Sequence, residues 1–172
     1  MVLSDDVHCA LERTVHHPDI VTVPLYEDDL MLAAAPQHRF SRTRTATIEE
    51  AGREPLILFD KGSSYSQLIQ GVFRQHGIVP HTLMELDTIE ATKKMVEEGL
   101  GIALLPKVST DREFEQGTLC PITITNATMP RRQISLIFRK NRKHTRAVMA
   151  FFSLVSELYE ITIPEAALAG VA

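Results

Sequence analysis

The chain has 172 residues, enough for one ordinary domain or two small lobes with cores of their own. Its 44% hydrophobic and 23% charged residues fit a globular protein. A net charge of −4 argues against a chain that coats nucleic acid by itself.

"VHCAL" and "IVTVPLY" are short β-branched runs that predict strands, separated by "ERTVHHPD". "DDLMLAAAP" is a further apolar segment closed by Pro36, and the basic stretch "HRFSRTRTA" is expected to be an exposed loop. Thr47 followed by Glu50 has capping-box spacing and predicts a short helix ending near Gly52. Pro55 leads into "LILF", four apolar residues that suit a strand covered on both faces.

Beyond Ser64, Leu68, Ile69, Val72 and Phe73 recur at helical spacing, with Gly77 placed for a C-terminal cap and Pro80 preventing continuation. "TLMEL" predicts a strand. Asp87 and Glu90 repeat the capping relationship and open "TIEATKKMVEEG", which Gly99 closes, and "LGIALLP" predicts a buried strand ending at Pro106. Strands alternating with helices over 56–106 are the pattern of a parallel α/β sheet. "TLCPITI" and "RRQISLIFRK" then follow as strands without a helix between them, so at least one is expected to pair antiparallel. The last helix carries Val148, Phe151, Phe152, Val155, Leu158 and Tyr159 on one stripe, and residues 161–172 are expected to form a disordered tail.

No run approaches the roughly 18 apolar residues of a membrane span. The opening "MVLSDDVHCALER" lacks a charged-then-apolar leader. Cys9 and Cys120 sit in apolar, strand-like surroundings and are expected to be buried free thiols in a reducing compartment, with a bridge between them the alternative. A cytoplasmic protein with no membrane partner is expected.

Catalysis finds little support in the residues. "KGSSYS" lacks the glycine spacing of a nucleophile elbow, and His16-His17 has no cysteine or carboxylate at ligand spacing. The acidic pairs in "YEDD", "IEE" and "VEEG" fall at helix starts or in loops and read as solvated faces. No enzyme, metal or cofactor is expected. The basic run "RKNRKHTR" (139–146) and the set Arg39, Arg42 and Arg44 read as solvated turns, too short to supply many phosphate contacts.

"FDKGSSYSQL" is the stronger candidate. In open α/β sheets ligands lie outside the carboxyl ends of the strands, where helix N-termini offer free amides and a positive dipole end. Asp60 to Ser64 falls at that end, as does the turn from Leu86 to Thr88, and both carry hydroxyls in Ser63, Ser64 and Thr88. Ser63 or Ser64 also suits a plain helix cap. The residues alone leave capping and ligand binding equally open, and the two are compatible because a cap satisfies only some of the free amides.

"VEEGLGIALLPK" resembles the "V..G.GIALLP" segment of the effector-binding domain of LysR-type transcriptional regulators. "VTVPLYEDDLMLAAAPQHRF" is similar to that family's crossover, and "EPLILFDKGSSYSQLIQGVFRQHGIVP" to its second-lobe strand and helix. "MELDTIEATKKMVEEGLGIALLP", "GTLCPITI" and "RRQISLIFRKNRKHTRAVMAFFSLV" continue the series, so the likeness runs over about residues 5–158. It implies an α/β, two-lobe periplasmic-binding-protein-like (type II) fold. Residues 1–35 would form part of the first lobe, 36–138 the second, and 139–160 the return and closing helix. A small effector, expected to be an anion, would lie between the lobes and control promoter binding by a DNA-binding domain outside this chain. Ser63, Ser64 and Thr88 would be its contacts, with Lys61 a further one.

Against the family pattern the chain lacks the winged helix-turn-helix, the linker helix and the first strand and helices of the first lobe. That implies a piece of a longer protein or a naturally shortened reading frame, with open sheet edges that favour a homo-oligomer. The alternative reading is a stand-alone two-lobe solute-binding protein or an enzyme on the same fold.

Overall fold

The computed structural model describes residues 1–59 and 64–164. The chain divides into two compact units, one of residues 1–28 and 132–172 and the other of residues 29–131. The divisions fall inside two long strands, whereas the resemblance would put the lobe boundaries near Ala35 and Phe138.

In the first unit, β1 (Cys9–Arg13) pairs antiparallel with β8 (Arg131–Arg139), from Cys9 opposite Phe138 to Arg13 opposite Ile134. β8 lies between β1 and β2 (Ile20–Ala34). The alternation of β8 explains the packing. Leu136 and Phe138 turn to α6 (Arg146–Leu158), meeting Val148, Phe152 and Val155, while Ile137 meets Val2 and Ile20. Thr145 caps α6, its Oγ1 accepting from the Val148 amide at 3.4 Å.

In the second unit the far half of β2 pairs antiparallel with β6 (Ala103–Pro106) and with β7 (Cys120–Ile124), and β3 (Thr45–Ala46) lies parallel to β7. β4 (Leu56–Phe59) and β5 (Thr82–Leu86) form a parallel pair. A parallel bridge from Leu56 to Ile102 joins that pair to the segment entering β6. Helices cover both faces. Leu56 and Leu58 face the core that holds Ile48 and Ala51 of α2 (Ile48–Arg53) and Ile69 and Phe73 of α3 (Ser64–Gln75). Ile57 faces Val96 of α4 (Ile89–Glu97). "LILF" is continuously apolar because its alternate side chains enter two cores.

The local signals account for most helix ends. α2 has the full capping box, Thr47 Oγ1 accepting from the Glu50 amide and the Glu50 carboxylate accepting from the Thr47 amide at 2.8 Å. α3 ends at Gly77, φ +68°, with the Ile78 amide donating to the Phe73 carbonyl. Gly99, φ +74°, ends α4 the same way, through Leu100 to Met95.

Several expectations are corrected. "IVTVPLY" and "DDLMLAAAP" belong to one continuous strand. The stretch expected as an exposed loop contains a helix, α1 (Arg39–Thr43), because His38 caps it and Phe40, 3% exposed, anchors it. α4 is capped by Thr88, not Asp87. β6 pairs antiparallel with β2, so the parallel pattern over 56–106 holds for β4, β5 and the single bridge alone. A short helix, α5 (Asp111–Gln116), had no sequence signal. On α6, Leu158 is 69% exposed and so lies off the buried stripe. Ile161 and Ile163 of the expected tail pack against α6, while residues 165–172 lie outside the described residues.

Candidate functional site

The site is built by the register of β4 and β5. Leu58 lies opposite Glu85 and Phe59 opposite Leu86, so both strands finish together, and α3 and α4 begin just beyond that shared end. Two helix N-termini of the same unit therefore open at one edge of one sheet. Each contributes first-turn amides with no acceptor inside its own helix, and the two positive dipole ends add.

Of the four residues singled out from sequence, Ser64 is the first residue of α3, and its backbone is what is described. Lys61 and Ser63 lie outside the described residues. Thr88 is exposed and extended, φ −135° and ψ 149°, in the N-cap position of α4. Its Oγ1 accepts from the Ala91 amide at 3.1 Å, and its carbonyl accepts from Thr92 Oγ1 at 3.0 Å. The Thr88 hydroxyl thus keeps its own proton to donate, and its capping bond leaves the Ile89 and Glu90 amides to other acceptors. Such an edge can hold a carboxylate, a phosphate or a hydroxylated ligand through neutral donors.

Behind it lies a buried lysine that sequence reasoning missed. Lys93 Nζ donates to Glu113 Oε1 at 3.0 Å and to the Ser109 carbonyl at 2.9 Å, and pairs with Glu90 Oε1 at 2.9 Å. Its side chain is 7% exposed. Burial alone would lower the Lys93 pKa, but the hydrogen bonds to Glu90 and Glu113 outweigh it and hold the ammonium above its ordinary range. Burial likewise works against the Glu113 carboxylate, and the Lys93 hydrogen bond wins, so its pKa is lowered. The set ties α4 to the turn at Lys107–Ser109 and to α5, and it offsets the Glu90 charge in the first turn of α4. The signal lay in helical phase: Ile89, Lys93 and Val96 stand at i, i+4 and i+7, which places Lys93 on the apolar face.

Several of the other groups noted in the sequence have partners of their own. In the basic run, Arg139 Nη1 lies 2.8 Å from Asp5 Oδ2 and Arg142 Nη1 3.0 Å from Asp5 Oδ1, while His144 is buried against the rings of Phe138 and Phe152. Arg39 Nε meets Glu54 at 2.6 Å. Nδ1 of His17 accepts from the Asp19 amide at 3.1 Å. Cys9 and Cys120 are free thiols, with burial pushing Cys9 above its ordinary value. Among the described residues no cluster of His, Cys, Asp and Glu could hold a metal ion, and no helix is long and apolar enough to cross a membrane.

The LysR substrate binding domain family matches residues 1–160. A probable RuBisCO transcriptional regulator from Cyanophora paradoxa is 30% identical over 149 residues, covering 85% of this chain and 46% of that protein. The HTH-type transcriptional regulator GltR of Bacillus subtilis is 26% identical over 153 residues, covering 88% and 49%. The chain therefore spans about half the length of these curated relatives. Among solved structures, the effector-binding domain of QuiR in complex with shikimate superposes with TM-score 0.77 at 21% identity, covering 92% of this chain and 75% of that one. The regulatory domain of Synechocystis CcmR in complex with 2-PG gives 0.80 at 18% identity, covering 92% and 76%. These likenesses carry the two-lobe, periplasmic-binding-protein-like α/β fold. With its family match over nearly the whole length, the chain belongs to the LysR substrate binding domain family.

Proposed function

We propose that this chain is the effector-sensing part of a LysR-type transcriptional regulator, and that its second-lobe contacts to a small anionic molecule are the N-terminal ends of α3 and α4. The observation that carries the reading is the β4–β5 register, with Phe59 opposite Leu86, from which both helices begin at one sheet edge. Ser63, Ser64 and Thr88 supply hydroxyl and amide donors, and Lys61 adds a cationic contact. The family membership supports an effector role, as do two structural neighbours solved with shikimate and 2-PG. Promoter DNA is contacted through another part of the regulator, in keeping with the curated relatives named as transcriptional regulators. The mechanism is differential affinity: a ligand shifts the regulator toward whichever arrangement gives it the better set of donors.

Thermal-shift measurements with shikimate, small carboxylates, sulfate and phosphate test the reading. A ligand held at 100 times its Kd stabilises the folded chain by about 2.7 kcal/mol. Thr88→Asp keeps a side-chain cap but sets a negative charge at the site, and Ser64→Pro removes one first-turn amide at a position where proline suits a helix. Both substitutions leave the apo melting temperature nearly unchanged and abolish the ligand shift. A shift that survives both rejects these contacts.

A further inference from the structure

The first turn of α4 carries a carboxylate at an end that is read as receiving anions. Glu90 is the second residue of that helix, and its side chain is 75% exposed. Side chains on a helix lean toward its N-terminus, and a glutamate in the first turn is drawn to the positive end of the dipole. Left to itself, the Glu90 carboxylate would settle on the first-turn amides that the Thr88 cap leaves open. Asp87, exposed just before the cap, already sets one negative charge at that end. A second charge there would oppose any anionic ligand.

Lys93 prevents this. Its Nζ lies 2.9 Å from Glu90 Oε1, and the same atom donates to Glu113 Oε1 at 3.0 Å and to the Ser109 carbonyl at 2.9 Å. Three partners occupy the three protons of the ammonium, which is thereby fixed against α5 and the turn at Lys107–Ser109. Glu90 is held along the flank of α4 instead of across its end. An exposed pair of two long side chains is too weak to keep such a position. Here the lysine side chain is 7% exposed and doubly anchored, so only the carboxylate has freedom to lose. We infer that Lys93 is a positioning residue of the effector site: it holds the Glu90 carboxylate off the open amides of α4 and keeps that helix end available to an anion. The inference rests on the reading that the ends of α3 and α4 receive the effector. Without its lysine, Glu90 takes the ligand's place as an internal competitor.

Isothermal titration calorimetry of the full chain with inorganic phosphate and with shikimate, at one fixed ionic strength, tests the inference. Glu90→Asp keeps the charge but shortens the arm, so the carboxylate leaves Lys93 for the helix end. Phosphate affinity then falls on the order of tenfold, and that of the singly charged shikimate falls less. Glu90→Gln removes the charge and raises the affinity for both about twofold. Lys93→Met with Glu113→Leu takes away one charge of each sign, leaving the net charge as it was while Glu90 is released. It weakens phosphate binding as Glu90→Asp does, and adding Glu90→Gln restores it. A lysine that served the fold alone would leave the triple variant as weak as the double. If the Lys93 variants fail to fold, Glu90→Asp against Glu90→Gln carries the test alone. Wild-type affinity in Glu90→Asp, or a loss in the Lys93 variant that Glu90→Gln does not undo, overturns the inference and leaves the site reading standing. A wild-type chain that binds neither probe up to millimolar concentration overturns both.

Discussion

Lys93 of α4 donates to Glu113 of α5 at 3.0 Å, joining a helix of the candidate site to the short helix after β6. The ammonium sits at 7% exposure and the carboxylate at 12%. Taking two charges this far from water costs several kcal/mol per ion, which the pairing and the extra bonds to Ser109 and Glu90 offset.

Removing one partner should therefore hurt more than removing both. Lys93→Met leaves Glu113 without its cation and costs about 3 kcal/mol, measured as a lower urea midpoint with an unchanged slope. Lys93→Met combined with Glu113→Leu recovers most of that loss, because neither charge is then buried. Equal losses in the single and double variants would mean that the lysine acts through packing alone.

The same groups set a pH dependence. Glu113 and Glu97 have folded-state pKa values below the ordinary 4.5, so their contribution is present above that value and lost as pH falls through the depressed ones. For Glu97 the cause is its bond with Lys94, followed by that from Thr118. Lys93 lies above the ordinary 10.5, so its contribution is full below that value and lost as pH rises through the raised one. Stability measured by denaturant at a series of pH values should fall below the carboxylate limit and above the lysine one, with the half-buried Cys9 thiol starting the basic-side loss as pH rises through its ordinary 9.0. Glu113→Gln should make the acid-side fall shallower; an unaltered acid limb would show that Glu113 does not contribute to it.

Two glycines give opposite outcomes. A Cβ on Gly101 would run into the Pro55 carbonyl oxygen and crowd Ile57, where the Ile102 amide bonds that carbonyl at 2.9 Å and ties β4 to the entry of β6. Gly101→Ala should cost about 2 kcal/mol or more. Gly71 lies within α3 with open space around its missing Cβ, so Gly71→Ala should stabilise by about 0.5–1 kcal/mol. Thermal melts of the two variants check both signs.

Much of this architecture was legible because the second unit relies on local signals. "LILF" reads as doubly covered, Thr47 and Glu50 form their capping box, and Gly77 and Gly99 end their helices. What was hidden depended on distant partners. α1 rests on one buried ring, Phe40, among basic neighbours, and α5 has no buried residue at all. β6 reads as the next parallel strand, yet its partner is β2, chosen by contacts seventy residues distant in the chain. At the candidate site Thr88 was visible as a hydroxyl after a strand, whereas Lys93 gave its signal only in the phase of α4. Asp87 was expected to cap α4, and Thr88 takes that place.

The most direct measurement is a 15N–1H titration of the assigned chain with shikimate and, separately, with inorganic phosphate. The largest amide shifts are expected at Ser64 and Tyr65 of α3 and at Ile89 and Glu90 of α4, saturating with a single Kd. Shifts confined to other surfaces, or none up to millimolar ligand, would contradict the proposal that these two helix ends receive the effector.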